Sequence, residues 1–398
     1  MTISADVEAR RHLSALDGLR GFAAVVVALY HTSLISPGGT SSLLGQSSYH
    51  LLEPIRWIAT LAVKFATCGP QAVILFFVLS GFVLTRAVVG QHYQSYFQFA
   101  TKRFFRIWPA FAIAILISAL LSYVIGRQSI SDGSVWLHEL WNGGATSGNI
   151  TKHLLMTETR VNLDNVMWSL VHELRISFLF PAVLLAMRKW PVPTCVATVG
   201  LMFLSCASSS LFPEGTIAKS YNETLCYIFL FAFGAGLSTA LLKQPIRPKM
   251  AILPSCLAML FFLMLLNAGP KDTAHVGTFL DGLRLLICGV GALGIILVVL
   301  HSYFNEVFSS KIARYLGRVS YSLYLLHVIV LAAVLNGLCR QFSVVHSALI
   351  ALVLMVPVAD IYQRLVERPT DLVGRLLAKT FVSPDSDPHR TRAKTFPG

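Results

Sequence analysis

Residues 107–126 read IWPAFAIAILISALLSYVIG, a stretch without a single charge. A helix needs about 20 apolar residues to cross a ~30 Å hydrocarbon core, so this segment is expected to span a membrane. Residues 191–212 and 250–268 are equally free of charge. The same reading, with a few charges tolerated, adds 14–34, 68–89, 168–187, 223–242, 280–301, 317–338 and 342–363. Ten crossings put both termini on one side. The expected class is therefore an all-α polytopic membrane protein, a bundle of about ten transmembrane helices. A polar leader at 1–12, an embedded body at 13–370 and a disordered cytoplasmic tail at 371–398 complete the expected organisation.

Composition points the same way. Hydrophobic residues make up 55% of the 398 and charged ones 13%, about half the ~25% of soluble domains. So few charges cannot cover a soluble surface. A disordered chain, a coiled coil, a collagen and a disulfide scaffold are excluded by the same numbers. The net charge of +13 sorts by side. Of the 32 Lys and Arg, 20 map to the side of the N-terminus and 8 to the opposite side, with Arg20, Arg86, Arg175 and Arg284 inside spans. Positive residues concentrate on the cytoplasmic side, so both termini are expected there. The excess charge needs no nucleic acid to explain it. No signal peptide is expected, and no internal repeat is visible. The seven Cys are scattered; Cys68 and Cys339 both map near the outer face, where a disulfide between them is open.

Ionisable groups inside spans cost at least ~2.5–3.5 kcal/mol each, which makes them pointers to function. In LSALDGLRGFAAVVVALYHTS, Arg20 and His31 lie about 16 Å apart along the axis and roughly 20° from the same face. Both can line one channel, although a snorkelling Arg and an interfacial His beside Tyr30 remain open. In KRFFRIWP, Arg103 and Arg106 are three apart, so a helix turns both guanidinium groups to one side. That pair suits a phosphate or pyrophosphate; plain anchoring at the inner interface is the alternative. In WSLVHELRISFLFP, Trp168 is expected at the outer interface. Glu173 then lies about 8 Å deeper, a depth that allows a contact with His31. Local neutralisation by Arg175 competes with that reading. Ser80 and Gly81 fall in ILFFVLSGF, where Gly permits close helix approach. Asp281 and Arg284 read as a structural ion pair. Ser320, Tyr324 and His327 sit in GRVSYSLYLLH, with His327 near mid-membrane.

Six stretches, LDGLRGFAAVVVALYH, FFVLSGF, KRFFRIWP, WSLVHELRISFLFP, GRVSYSLYLLH and the weaker VERP at 366–369, occur in an order that resembles the acyltransferase-3 family. These are integral membrane proteins that O-acylate carbohydrates. The resemblance spans about 13–370. It implies that Arg20 and His31 are essential, that Arg103 and Arg106 face a cytoplasmic acyl-CoA, and that Glu173 matters to function. His172 replaces a different residue of the family pattern and takes no role from it. Asp17, Ser80, Gly81, Trp168, Ser169, Ser320, Tyr324 and His327 are expected to line the channel or meet substrate. No appended hydrolase-like domain is visible. The expected activity is transfer of an acyl group, acetyl by family habit, from acyl-CoA to a hydroxyl of a carbohydrate or lipid-linked glycan at the outer face. His31 would be the general base, helped by Glu173, with no metal required. A bacterial inner membrane is the expected location. An exporter of a glycan without acyl transfer is the competing reading; it would show inverted repeats with broken helices, which are not seen.

Overall fold

The computed structural model describes residues 2–37, 60, 62–89, 95–128, 130, 133–159, 162–242, 250–270 and 276–381, with side chains from Ser14 onward. Its long helices are α1 Thr2–Ser33, α2 Gly69–Val89 and α3 Tyr96–Ile125. Two short ones follow, α4 Val135–Glu139 and α5 Ser147–Leu154, and form a cap over one end of the bundle. Then come α6 Met167–Lys189, α7 Pro191–Ser208, α8 Ile217–Leu242, α9 Ile252–Asn267, α10 Phe279–His301, the short α11 Phe304–Phe308, α12 Lys311–Leu338, α13 Val344–Tyr362 and α14 Arg368–Lys379. Each of the ten expected segments falls on one of these helices. Eight helical stretches are long and apolar enough to cross a membrane among the described residues, and α9 is apolar but shorter. The molecule is an all-α polytopic membrane protein.

Local chemistry starts the helices where the sequence offers an oxygen. Ser95 accepts from Gln98 N and closes a capping box, as Thr278 does with Asp281; each satisfies orphan N–H groups that lipid could not. Ser310 and Ser343 cap α12 and α13 by accepting from Ala313 N and His346 N, without the reciprocal bond of a box. Between α13 and α14 the chain makes a π turn, Gln363–Glu367. Such wide turns gather at functional sites, and this one buries the Glu367 side chain against the bundle.

Two glycine contacts set the frame. At Gly21, an added Cβ would collide with the backbone of Leu316 and Gly317, and one on Gly317 with Asp17 O. Backbone therefore touches backbone along α1 and α12. Gly21 and Gly317 differ by the same 296 positions that separate His31 from His327, so the two helices run parallel without slip. The second contact pairs α2 with α8: Cβ atoms on Gly81 and Gly234 would strike Phe231 O and Val78 O. Small residues allow this approach where lipid supplies no hydrophobic drive between helices.

The ends of the bundle differ. One gathers Arg106 with Glu367 and Asp371, Arg318 with Asp360, and Ser14 with Ser309. The other carries the cap, whose Ser134 N donates to Ile35 O at 2.9 Å and whose Gln128 N donates to Asn336 Oδ1 at 2.9 Å.

Two expectations change here and a third holds. The tail expected from 371 begins as α14, an amphipathic helix docked on α3 with Gly374 against Phe105; residues from 382 lie outside those described, as does most of 35–67. All seven cysteines are free, so Cys68 and Cys339 form no disulfide. The Asp281–Arg284 ion pair is present as expected, at 4.0 Å, and Asp281 also closes the capping box of α10.

Candidate functional site

At the charged end, an open mouth of about 420 Å³ is lined by five arginines, Arg106, Arg314, Arg318, Arg368 and Arg375, against three carboxylates, Asp17, Glu367 and Asp371. Asp371 holds Arg375 at 2.6 Å and lies 3.8 Å from Arg106. Arg314 and Arg368 have no ion pair among the described residues, so the mouth keeps free positive charge for an anion.

One helical turn further along α1 and α12 the lining changes. Asp17 and Gly317 border the mouth; Arg20 and Ser320 border a second, much smaller cavity with about 30 Å³ open to water-sized groups. Its walls are Val73, Phe76, Phe77 and Leu170, and its polar groups also include Glu173, Ser169, Tyr321 and Tyr324. The space is narrow and mostly apolar, with Arg20 and Glu173 as its charges. Glu173 accepts from Arg103 Nη2 at 3.0 Å and from Ser80 Oγ at 3.1 Å. Arg103 also donates to Ser177 Oγ, from Nη2 at 2.9 Å and from Nε at 3.2 Å.

Beyond Tyr324, whose hydroxyl lies 2.6 Å from Ser169 Oγ, stand the two histidines. His327 Nε2 is 3.0 Å from His31 Nδ1. His31 Nδ1 is also 3.0 Å from Val27 O, and His327 Nδ1 is 3.1 Å from Leu323 O. Trp136 of the cap stacks on His31 with ring centroids 5.5 Å apart. His327 in turn lies 5.9 Å from the Tyr324 ring. Arg20, Ser320, Tyr324, His327 and His31 thus follow one another along the α1–α12 seam.

The structure separates residues that sequence spacing placed together. Glu173 meets Arg103 and not His31. The reason is depth: α6 begins beneath the cap, with Met167 buried and Trp168 packed among Phe77, His172 and Tyr227. Glu173 is accordingly too deep to reach the end of α1. Arg175 turns away from it, to Ser220, Thr224 and the carbonyls of Met156 and Thr157. Arg103 and Arg106 leave the same helix but not for the same partner: Arg103 points inward to α6, and Arg106 points to the mouth. Gly81 lies at the α2–α8 contact, and Ser80, Gly81, Trp168, His327 and His31 are not among the residues that line the cavity. Residues that the spacing did not single out are Tyr321, whose hydroxyl donates to Ile107 O at 2.7 Å, Trp136, and the mouth arginines 314, 368 and 375. Glu367 was signalled only by VERP. It accepts from Ser322 Oγ at 2.6 Å and lies 3.7 Å from Arg106.

A seam of polar groups along α1 and α12, with cations at one end and imidazoles at the other, suits moving a group off an anionic carrier, the task of a membrane-embedded transferase. Comparison with known proteins places the chain within such a class: it belongs to the acyltransferase domain family, whose model matches residues 13–364. Similar proteins include an O-acetyltransferase OatA of Staphylococcus aureus, 22% identical over 382 residues that cover 90% of this chain and 57% of that protein. A peptidoglycan O-acetyltransferase OatA of Listeria monocytogenes is 25% identical over 343 residues, 80% of this chain and 49% of the relative. The acyltransferase MdmB of Streptomyces mycarofaciens is 28% identical over 181 residues, 45% of this chain and 41% of the relative. The chain thus spans a little over half the length of the staphylococcal relative. No solved structure matches it.

Proposed function

We propose that this protein transfers an acyl group, acetyl in the first instance, from acyl-CoA to a hydroxyl of a carbohydrate or lipid-linked glycan. The observation that carries the reading is the sequence of environments along α1 and α12: arginine-lined mouth, narrow cavity, paired histidines. An acyl-CoA has the matching order of parts, a polyanionic nucleotide, a long thin arm and a thioester. On this reading the charged end faces the cytoplasm, where acyl-CoA is found, consistent with the distribution of Lys and Arg. The chain crosses ten times, keeps both termini inside and resides in a bacterial plasma membrane.

The nucleotide phosphates dock on Arg106 and the mouth arginines through charge-assisted hydrogen bonds. The arm runs past Arg20 and Ser320 and brings the thioester toward His31. Nε2 of His31 makes no hydrogen bond to a described residue and is the nitrogen that takes the acceptor hydroxyl's proton. The alcohol oxygen bonds to the thioester carbonyl carbon, the carbon–sulfur bond breaks, and the departing CoA sulfur takes the proton from Nε2. The Arg103–Glu173–Ser80 cluster shapes the cavity wall. The relatives' names suggest peptidoglycan as one acceptor to try.

The test uses the full chain in proteoliposomes with acetyl-CoA labelled in its acetyl group and peptidoglycan fragments or lipid-linked glycans on the opposite side. The expected result is label on glycan and stoichiometric CoA release, both abolished by His31→Ala. Wild-type labelling by His31→Ala rejects the base; glycan transport without CoA release supports the exporter.

A further inference from the structure

We propose that His327 is the positioning residue of the reaction: it accepts the Nδ1 proton of His31, fixes the ring in the plane that presents Nε2 to the acceptor, and shares the charge when Nε2 is protonated. This rests on the reading of His31 as base and assigns to a second histidine the part that a carboxylate plays in a catalytic triad.

Hydrogen-bond bookkeeping decides the direction. A carbonyl oxygen only accepts, so His327 Nδ1, 3.1 Å from Leu323 O, carries the proton and its Nε2 carries the lone pair. His31 Nδ1 faces two acceptors, Val27 O and His327 Nε2, each at 3.0 Å. It must therefore be the protonated nitrogen, which leaves His31 Nε2 basic. Val27 O is a backbone neighbour on the same helix; it can bias the tautomer but cannot take up charge. His327 Nε2 can, because an imidazole lone pair is itself a proton acceptor.

The surroundings hold the pair in place. His327 is fully buried. The glycine contact between α1 and α12 removes axial slip, and Trp136 stacks on the His31 ring. No carboxylate touches His31 among the described residues, and Glu173 is engaged by Arg103 and Ser80. During transfer the Nδ1 proton stays between the two rings. The proton that moves is the acceptor's, onto His31 Nε2 and then to the leaving sulfur.

Glutamine and asparagine separate this role from packing. A Gln side chain places a polar atom where histidine has Nε2; an Asn reaches only as far as Nδ1. His327→Gln, His327→Asn and His327→Leu are assayed in proteoliposomes with acetyl-CoA and peptidoglycan fragments. The expected pattern is a kcat within about tenfold of wild type for Gln and a fall of about 10²-fold for Asn and Leu, with KM for acetyl-CoA unchanged in all three. A second readout needs no turnover. In ¹⁵N-histidine-labelled protein in bilayers, the His31 Nδ1–H proton resonance is expected far downfield in wild type and His327→Gln, and upfield in His327→Asn. Equal losses in Gln and Asn, or a rise in KM that accounts for them, overturn the proposal, as does an Nδ1–H resonance that none of the substitutions moves. If His31→Ala is dead while every His327 variant runs at the wild-type rate, this inference alone falls. If His31→Ala is active, the base reading falls with it.

Discussion

Replacing Arg103 by Ala tests the reading of the cavity wall. The side chains of Arg103 and Glu173 are 16% and 15% exposed, so the pair is largely out of water. Arg103→Ala removes the 3.0 Å bond to Glu173 and both bonds to Ser177, leaving the carboxylate with Ser80 Oγ. Breaking a buried ion pair by deleting one partner costs about 3–5 kcal/mol. At about 2 °C per kcal/mol for a large chain, the unfolding midpoint in detergent should fall by roughly 6–10 °C. Glu173→Gln keeps an acceptor for Arg103 and should cost less. In the double variant no charge is left stranded, so its loss should be smaller than the sum of the singles by about 1–3 kcal/mol. The assay is thermal unfolding followed by intrinsic fluorescence on purified protein, with binding of CoA measured in parallel. An unchanged midpoint in Arg103→Ala, or strict additivity in the double variant, refutes the pairing. A large loss of CoA affinity with no loss of stability would return Arg103 to the donor site.

Arg106→Ala is expected to raise KM for acetyl-CoA about tenfold or more with little change in kcat, because it removes docking charge far from the reacting bond; initial-rate kinetics decide it. Gly81→Ala should destabilise despite the ~1 kcal/mol that Ala gains in a helix. The new Cβ meets the Phe231 backbone, and overpacking costs about 1–3 kcal/mol or more; the unfolding midpoint reads the balance. In the cap, burial pushes the Asp164 carboxyl from 3.8 up to about 8, with its Oδ2 unpartnered among the described residues. Across that window the folded chain holds a proton the unfolded chain has lost, so stability falls as pH rises from about 4 to about 8. Asp164→Asn, which mimics the protonated acid, should flatten the midpoint-against-pH curve; an unaltered slope counts against it.

Hydropathy was enough to locate the membrane helices, because each must satisfy its own backbone in lipid and so declares itself by length and composition. The amphipathic α14 escaped notice for the converse reason: RPTDLVGRLLAK is too polar and too short to span, and its docking depends on Gly374 meeting Phe105 from a distant helix. In the site, Arg20 and His31 were legible as ionisable groups in costly places, and the RxxR pair by its spacing just before a span. Their partners were not. Depth counted from Trp168 puts Glu173 level with His31 only if Trp168 lies at an interface, and the cap covers the helix start instead. The His31–His327 bond joins positions 296 apart, and nothing in local periodicity reports which of several intramembrane polar groups will meet.

The seam between α1 and α12 has a consequence for biogenesis. Its two halves lie 296 positions apart, so α1 leaves the ribosome long before α12. The early segment enters the bilayer carrying Arg20 and His31, with the groove that Gly21 opens in its backbone still unfilled, until Gly317 arrives. On the proposed function, an acyl donor would therefore meet no finished reaction centre until α12 has been made and docked against α1.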